Sequence, residues 1–324
     1  MLKKIALMTL MILSNVASAG QQIKIAVLVP EGTTWGNSLK NLSKEVEKVT
    51  RGEVSFKIYY GGVSGDEPDV LRKIRIGQLH GAIFTGKTLG DIYGDVRVME
   101  IPFTFFEKQD KASSTLKKLT PQFNQGLKNK GFMNLGFYEV GQVYVVSTKK
   151  ISTLNELKGI KIWSWEGDKL VEAMIQSLQL VSVPLAIPDV LSSLSTGIID
   201  AAYAPPLAIL ALQWQTKVKY LVDFPSAFSI GALLVSDKIW SKIKPEHQKI
   251  INDLSRKYVS DANQKSVAEN NQAREQLKKA GIQFVSFPAE DYKKAAAARE
   301  TVISKIKESY ISSKIIQTLD QETK

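Results

Sequence analysis

The sequence predicts an α/β fold made of two doubly wound lobes, joined by hinge strands and a long bridging helix. The order strand–helix–strand–helix–strand occurs twice along the chain. The two helix-to-strand junctions are also alike, RIGQLHGAIF around Gly77 and STGIIDAAYA around Gly197. Because a βαβαβ unit forms a parallel sheet with a crevice at the carboxyl ends of its strands, each unit should supply one lobe and one side of a shared crevice.

The first unit opens with the apolar strand IKIAVLVP and a helix whose apolar residues recur at helical spacing. The turn GGVSGDEP separates its second strand from its second helix, which Gly77 ends. The predicted elements are the strand 23–30, the helix 35–50, the strand 53–60, the helix 68–76 and the strand HGAIFTG.

The second unit repeats this order, beginning with the strand GIKIWSW and closing with the strand IIDAAYAP. Between them we predict a helix over 167–179, the strand VSVPL and a helix over 188–196.

Four further segments complete the prediction. The strands FYEVGQVYVVS and FSIGALLVS should join the lobes, and each has an internal glycine, Gly141 or Gly231, at which the backbone could bend. A helix over 245–279 is too long for one small lobe and should span both, and GIQFVSFP and a helix over 289–309 follow. The predicted lobes are residues 20–140 plus 229–268 and residues 141–228 plus 269–324.

The N-terminal residues have the pattern of a secretory signal peptide. Lys3 and Lys4 precede a short apolar run, 5–13, and Ala17-Ser18-Ala19 matches an A-x-A cleavage site. We therefore expect export to the periplasm, with cleavage after Ala19.

Composition argues against several classes of function. The net charge is +11, but basic residues alternate with acidic ones, which is typical of a solvated surface and not of a nucleic-acid site. With no cysteine and only two histidines, disulfides, thiolate chemistry and a histidine-rich metal site are excluded, and we expect no cofactor. No Walker loop or G-x-S-x-G elbow is present, so an enzyme is not predicted. The carboxylates at 66, 67, 69 and 189 precede helices, where capping explains them.

Aromatic residues mark the strand ends that would face the crevice. Trp163 and Trp165 are two residues apart, so on an extended backbone they project to one side. The alternative is that these rings only cover the cores of their own lobes, and that Asp168 is only a first-turn charge. The candidate ligand-binding residues are Trp35, Phe84, Trp163, Trp165, Asp168, Ile187 and Tyr203.

The chain also resembles a known family, the solute-binding proteins of TRAP (tripartite ATP-independent periplasmic) transporters. The resemblance covers essentially the whole mature chain and is most specific in WGNSLKNLSKEVEKVTRGEVSFKIYYGG, RKIRIGQLHGAIF, ELKGIKIW and VPLAIPDVLSSLSTGIIDAAYAPP. It implies a periplasmic binding protein type II-like fold that closes on a solute. It also implies TRAP-type membrane permease subunits, driven by an ion gradient, as partners.

The sequence departs from this family at three positions that normally contact the ligand. The arginine that usually binds a substrate carboxylate is replaced by Trp163, and the usual asparagine by Ala204. A second family arginine, expected within 141–144, is also absent. A carboxylate would lose its charge-assisted partners, so an apolar, aromatic or amphipathic solute is favoured.

Three alternatives to this interpretation remain open. The protein could be a stand-alone periplasmic carrier of lipid-like molecules, an organic-acid binder with non-standard contacts, or a periplasmic enzyme. Resemblance to a branch with a Trp-x-Trp motif also implies a periplasmic helical-repeat protein as a further partner.

Overall fold

The computed structural model describes residues 20–106 and 108–323, so the predicted signal peptide, residues 1–19, lies outside the described residues. The elements of the first half are β1 (Gln21–Ala26), α1 (Thr34–Val49), β2 (Val54–Tyr59), α2 (Glu67–Arg75), β3 (Gly81–Thr85), α3 (Gly86–Ile92), α4 (Gln109–Asn129) and β4 (Phe132–Ser147). Those of the second half are β5 (Lys161–Ser164), α5 (Lys169–Ser177), β6 (Val181–Pro184), α6 (Val190–Thr196), β7 (Ala201–Ala204), α7 (Pro206–Ala211), β8 (Tyr220–Ser236), α8 (Asp237–Trp240), α9 (Pro245–Lys279), β9 (Gln283–Val285), α10 (Asp291–Ile306) and α11 (Ser313–Thr323).

A nine-stranded mixed sheet of order β2-β1-β3-β8-β4-β7-β5-β6 runs through both lobes, and β9 pairs with β8. The long strands β4 and β8 pair antiparallel from Phe132↔Ser236 to Ser147↔Tyr220. On one side of this pair β3, β1 and β2 are parallel to one another, and on the other side β7, β5 and β6 are parallel. The two predicted βαβαβ units are therefore the two ends of one continuous sheet, which confirms the α/β two-lobe fold.

The residues immediately before three helices have side chains that fix where those helices begin. Thr33 accepts a hydrogen bond from the backbone N–H of Gly36 at the start of α1, Asp66 caps α2, and Asp168 caps α5. Each cap supplies an acceptor to an N–H group that would otherwise have no partner in the first helical turn.

Helix α9 packs along both lobes, as its length predicts. The Ser38 hydroxyl on α1 donates to the carbonyl of Tyr258 on α9. At the other end of α9, the Asn270 side chain accepts from the N–H of Leu207 on α7. One helix thus makes polar contacts with both halves of the sheet.

The glycines of the two hinge strands differ in conformation. Gly141 has φ +121° and lies at a register shift in the β4–β8 pairing, so the predicted irregularity is present there. Gly231 pairs regularly with both Tyr138 and Thr85, so the strand is regular there, and bending at Gly231 stays a prediction. A Cβ at Gly231 would lie 3.1 Å from the Thr85 methyl group, so close packing accounts for this glycine.

Several helices were not predicted from the sequence, most notably α4 and α11. Pro121 lies inside α4, and an internal proline usually indicates the end of a helix. Helix α11 follows the segment 289–309, which we expected to be the last helix. None of the described helices is long and apolar enough to cross a membrane.

Candidate functional site

A cavity of about 230 Å³ lies where the strand ends of the two lobes face each other. Its wall is mostly apolar, and it combines the β1–α1 turn, the end of β5, the β7–α7 junction and the start of α5. The apolar lining residues include Val27, Val29, Pro30, Trp35, Ile83, Val140, Val143, Trp163, Trp165, Leu170, Met174, Ile187, Ala204, Ala208, Leu212 and Trp214.

Trp163 is the centre of an aromatic group on one wall of the cavity. Its ring centroid lies 4.9 Å from that of Tyr203 in a stacked arrangement, and 5.5 Å and 5.6 Å from those of Trp165 and Trp214. Such spacings are those of favourable aromatic pairs, so the group is a rigid surface. The ring centroid of Trp35, on the other lobe, lies 4.7 Å from that of Tyr138, and Trp35 also lines the cavity.

The indole N–H groups of the three predicted tryptophans are bonded within the protein. Trp163 donates to the carbonyl of Leu185 at 2.9 Å, Trp165 to the Asp66 carboxylate at 3.0 Å, and Trp35 to the Ser266 hydroxyl at 3.3 Å. The polar edge of each indole is thereby satisfied, and what remains for the cavity is ring surface.

Six of the seven predicted site residues line the cavity, namely Trp35, Trp163, Trp165, Asp168, Ile187 and Tyr203. The seventh, Phe84, is fully buried in the core and does not line it. Successive side chains of a strand point to opposite faces, and on β3 it is Ile83 and Thr85 that face the cavity. The structure does not place Phe84 with the other six.

Sequence reasoning missed an ion cluster that also lines the cavity. It is formed by Arg97 and Glu100 of the 3₁₀ helix Gly94–Glu100, together with Asp168. Arg97 Nε lies 2.7 Å from Glu100 Oε2, and both Nη atoms of Arg97 donate to Asp168 Oδ2 at 3.2 Å. The two family arginines are absent from their expected positions, but Arg97 brings a guanidinium to the cavity wall from another part of the chain.

The three side chains of this cluster are buried, so their charges depend on one another for compensation. Arg97, Glu100 and Asp168 are 3%, 7% and 1% exposed. Burial lowers the pKa of Arg97, but the charges of Asp168 and Glu100 outweigh it and raise the pKa above its ordinary value, so the guanidinium is charged. Glu100 Oε1 also accepts from the Ser229 hydroxyl and the Ile230 N–H, at 3.0 and 3.1 Å. Breaking such a pair would leave an uncompensated buried charge.

Glu67 is a second buried acid on the cavity wall. Its oxygens accept hydrogen bonds from the backbone N–H and the hydroxyl of Thr85, at 2.8 and 2.7 Å. Burial, with smaller contributions from Asp66 and Glu100, raises the pKa of Glu67 to about 8. Asp66 caps α2, whereas the Glu67 oxygens bond to Thr85, so Glu67 is not the helix cap that the sequence predicted. Its carboxyl group is largely protonated near neutral pH.

The sequence does contain a signal for Arg97 and Glu100. In GDVRVMEIPF, two opposite charges three residues apart interrupt an apolar run. A charged pair surrounded by apolar residues is a candidate for a buried ion pair. Among the described residues, no group of three or more histidine or acidic side chains could hold a metal ion.

Comparison with known proteins places the chain among exported binding proteins. Residues 25–310 match the sequence profile of "Bacterial extracellular solute-binding protein, family 7". A solute-binding protein of Chromohalobacter salexigens is 30% identical over 168 residues, which span about half of each chain. The C4-dicarboxylate-binding periplasmic protein DctP of Rhodobacter capsulatus is 21% identical over 88% of this chain and 84% of its own.

Among solved structures, a TRAP periplasmic solute-binding protein from Desulfovibrio salexigens with bound orotic acid has a similar fold. Its TM-score is 0.82 at 23% identity, covering 94% of this chain and 98% of that one.

Proposed function

This chain belongs to bacterial extracellular solute-binding protein family 7, the periplasmic binding components of TRAP transporters, and we propose that it binds an apolar or amphipathic solute in the aromatic cavity. Members of this family capture small molecules for TRAP permeases and are not enzymes. Ligand delivery to TRAP permease subunits is therefore its general role, and the class of ligand is what we add.

The observation that carries this proposal is that the Arg97 guanidinium is already paired with two carboxylates. It is the one cationic side chain among the described residues that line the cavity, and its charge is paired with both Glu100 and Asp168. A ligand carboxylate would have to compete with two buried carboxylates for the same guanidinium. Charge-assisted binding of an organic acid, as in a bidentate salt bridge, is thereby disfavoured.

The rest of the wall supports an apolar ligand. Ring faces and aliphatic side chains make up most of the lining, and the three indole N–H groups are already bonded. Burial of apolar surface contributes about 25 cal/mol per Å², so a ligand that fills this cavity gains affinity mainly from the area it buries.

The two relatives whose names record a ligand both bind organic acids, and the proposal departs from them in the class of ligand. The Rhodobacter protein is named for C4-dicarboxylates, and the Desulfovibrio structure contains orotic acid. Trp163 and Ala204 stand where the resemblance predicts an arginine and an asparagine, and both line the cavity. An organic-acid ligand held by non-standard contacts is thus the alternative to be tested. The names of these relatives record no helical-repeat partner, so that partner stays a prediction.

Identification of the co-purified ligand tests the proposal. The protein is purified under gentle conditions from its native periplasm and extracted with organic solvent, and the extract is analysed by mass spectrometry. We expect an intact apolar or amphipathic molecule that succinate does not displace. An anionic metabolite released by succinate would contradict the proposal, and recovery of a chemically converted molecule would favour an enzyme.

A further inference from the structure

The acidic and basic side chains of the cavity form one group, which we call the acidic wall and define as Glu67, Glu100, Asp168 and Arg97. All four line the cavity and are at least nine-tenths buried. The Glu100 charge acts on Glu67, and Arg97 joins Glu100 to Asp168, so the four side chains share one electrostatic environment. The rest of the lining is mostly apolar, so these four side chains are the main polar surface that a bound ligand would meet.

The acidic wall has more carboxyl groups than cationic groups. Three carboxyl groups face one guanidinium, which is already paired with Glu100 and Asp168. Burial raises the pKa of both Glu67 and Glu100, which favours their protonated forms. A ligand carboxylate would therefore find no unpaired cation here, whereas a cation or a hydrogen-bond donor would find acceptor oxygens.

Building on the proposed function, we propose that the acidic wall selects the polar end of the ligand, so that the solute is an amphipathic amine and carboxylates are rejected. The apolar body of the ligand would lie against Trp163 and Trp165, and its ammonium group would lie among the carboxyl oxygens of Glu67, Glu100 and Asp168.

Three probes with the same eight-carbon chain separate the contribution of the head group from that of the chain. Octylamine is cationic near neutral pH, 1-octanol is uncharged and octanoate is anionic. Binding of each to the mature protein is measured by isothermal titration calorimetry. We expect octylamine to bind at least about tenfold more tightly than octanoate, with 1-octanol between them. Affinities of octylamine and octanoate within tenfold of each other, or in the reverse order, would overturn the inference.

The same titrations distinguish this inference from the proposed function. Binding of 1-octanol with octanoate preferred to octylamine would leave the apolar cavity supported and the amine selection refuted. Failure of all three probes to bind, while succinate binds, would refute both.

Asp168→Asn identifies the acidic wall as the origin of the preference. Asparagine still caps α5, so the helix start is kept, while one carboxylate is removed from Arg97. We expect the preference for octylamine over octanoate to fall by about tenfold. The matched control is Asp189→Asn, which makes the same charge change at an exposed position and should leave the preference unchanged. Glu67→Gln serves as the second variant should Asp168→Asn fail to fold by circular dichroism. An unchanged preference in the folded variant would overturn the inference.

Discussion

At the scale of single residues, most polar side-chain atoms of the cavity already have hydrogen-bond or ion-pair partners within the protein. The indole N–H of Trp163 is bonded to a backbone carbonyl, and the Arg97 charge is shared between Glu100 and Asp168. Glu67 differs, because burial raises its pKa to about 8 and its charge therefore changes within the neutral range. These residues determine both what the cavity can bind and how the protein responds to pH.

The raised pKa of Glu67 makes stability fall as pH rises. The native carboxyl holds its proton up to a pH of about 8, whereas the unfolded carboxyl loses it near its ordinary value of 4.5. Between those values the folded state binds more protons, so the free energy of unfolding decreases with rising pH. Each pKa unit is worth about 1.4 kcal/mol, so we expect this residue to account for a loss of a few kcal/mol.

Glu67→Gln isolates this effect, because glutamine does not titrate. Urea unfolding at about pH 5 and about pH 8.5 should show a smaller pH-dependent loss of stability in the variant than in the parent. Asp69→Asn, on the exposed side of α2, is the matched control. Equal pH slopes in parent and Glu67→Gln would contradict the assignment.

Trp163→Arg tests the role of the aromatic group around Trp163 on the cavity wall. A second guanidinium would replace the ring that contacts Tyr203, Trp165 and Trp214, so retention of the co-purified apolar ligand should fall by about tenfold or more. Trp163→Phe keeps a ring and should retain more ligand than the arginine variant. Unchanged retention in a folded Trp163→Arg protein would remove Trp163 from the site.

At the scale of elements, the irregular point in β4 and the long helix α9 are joined by one side chain. Asn270 on α9 donates to the carbonyl of Val140 and accepts from the N–H of Leu207, at 3.0 and 3.1 Å. Gly141, next to Val140, has a φ that favours glycine, and a Cβ there would lie 2.9 Å from Asn270 Nδ2. The helix therefore satisfies the Val140 carbonyl where the regular strand pairing is interrupted, and ties α7 to the same point.

Asn270→Ala should destabilise the protein. The N–H of Leu207 and the carbonyl of Val140 would lose their partners in a partly buried region, at a cost of about 1–3 kcal/mol in free energy of unfolding. Asn124→Ala, which removes an exposed side-chain hydrogen bond to Asn134, is the control and should cost much less. Urea unfolding measures both, and equal losses would contradict a special role for Asn270.

At the scale of the whole molecule, the segment 165–168 connects the two lobes at the cavity. Trp165 donates to Asp66, and its ring lies 3.3 Å from where a Cβ of Gly86 would be. Asp168 accepts from Arg97. The lobe boundary at residues 140 and 141 stays a prediction. If the boundary lies there, these contacts join the two lobes, and we expect them to stabilise the closed cavity.

Asp168→Ala should shift the ligand-free protein toward a more open shape. Its loss removes one partner of the buried Arg97 across the boundary, and a buried charge left short of partners is costly. We expect a larger radius of gyration in small-angle X-ray scattering, at unchanged secondary structure by circular dichroism. Asp253→Ala removes only exposed ion pairs with Lys249 and Arg256 and should leave the radius unchanged. An unchanged radius in Asp168→Ala would refute this role of the contact.

The sequence by itself determined the repeated βαβαβ order, the bridging helix and the aromatic residues at the strand ends. These follow from local periodicity and from turn residues, which act over a few positions along the chain. The span of α9 matches the predicted 245–279, and Trp163 and Trp165 both line the cavity as their spacing predicts.

Only the tertiary structure decided which polar groups meet that aromatic surface. Arg97 and Asp168 are 71 residues apart, and they come together because the 3₁₀ helix packs on β8 while α5 begins at the facing strand end. Likewise, alternation along β3 separates Phe84 from Ile83, but the packing of the other lobe determines which face borders the cavity. Long-range packing has no local sequence period. The aromatic residues and Asp168 could therefore be predicted from the strand ends, whereas the meeting of Arg97, Glu100 and Glu67 with them could not.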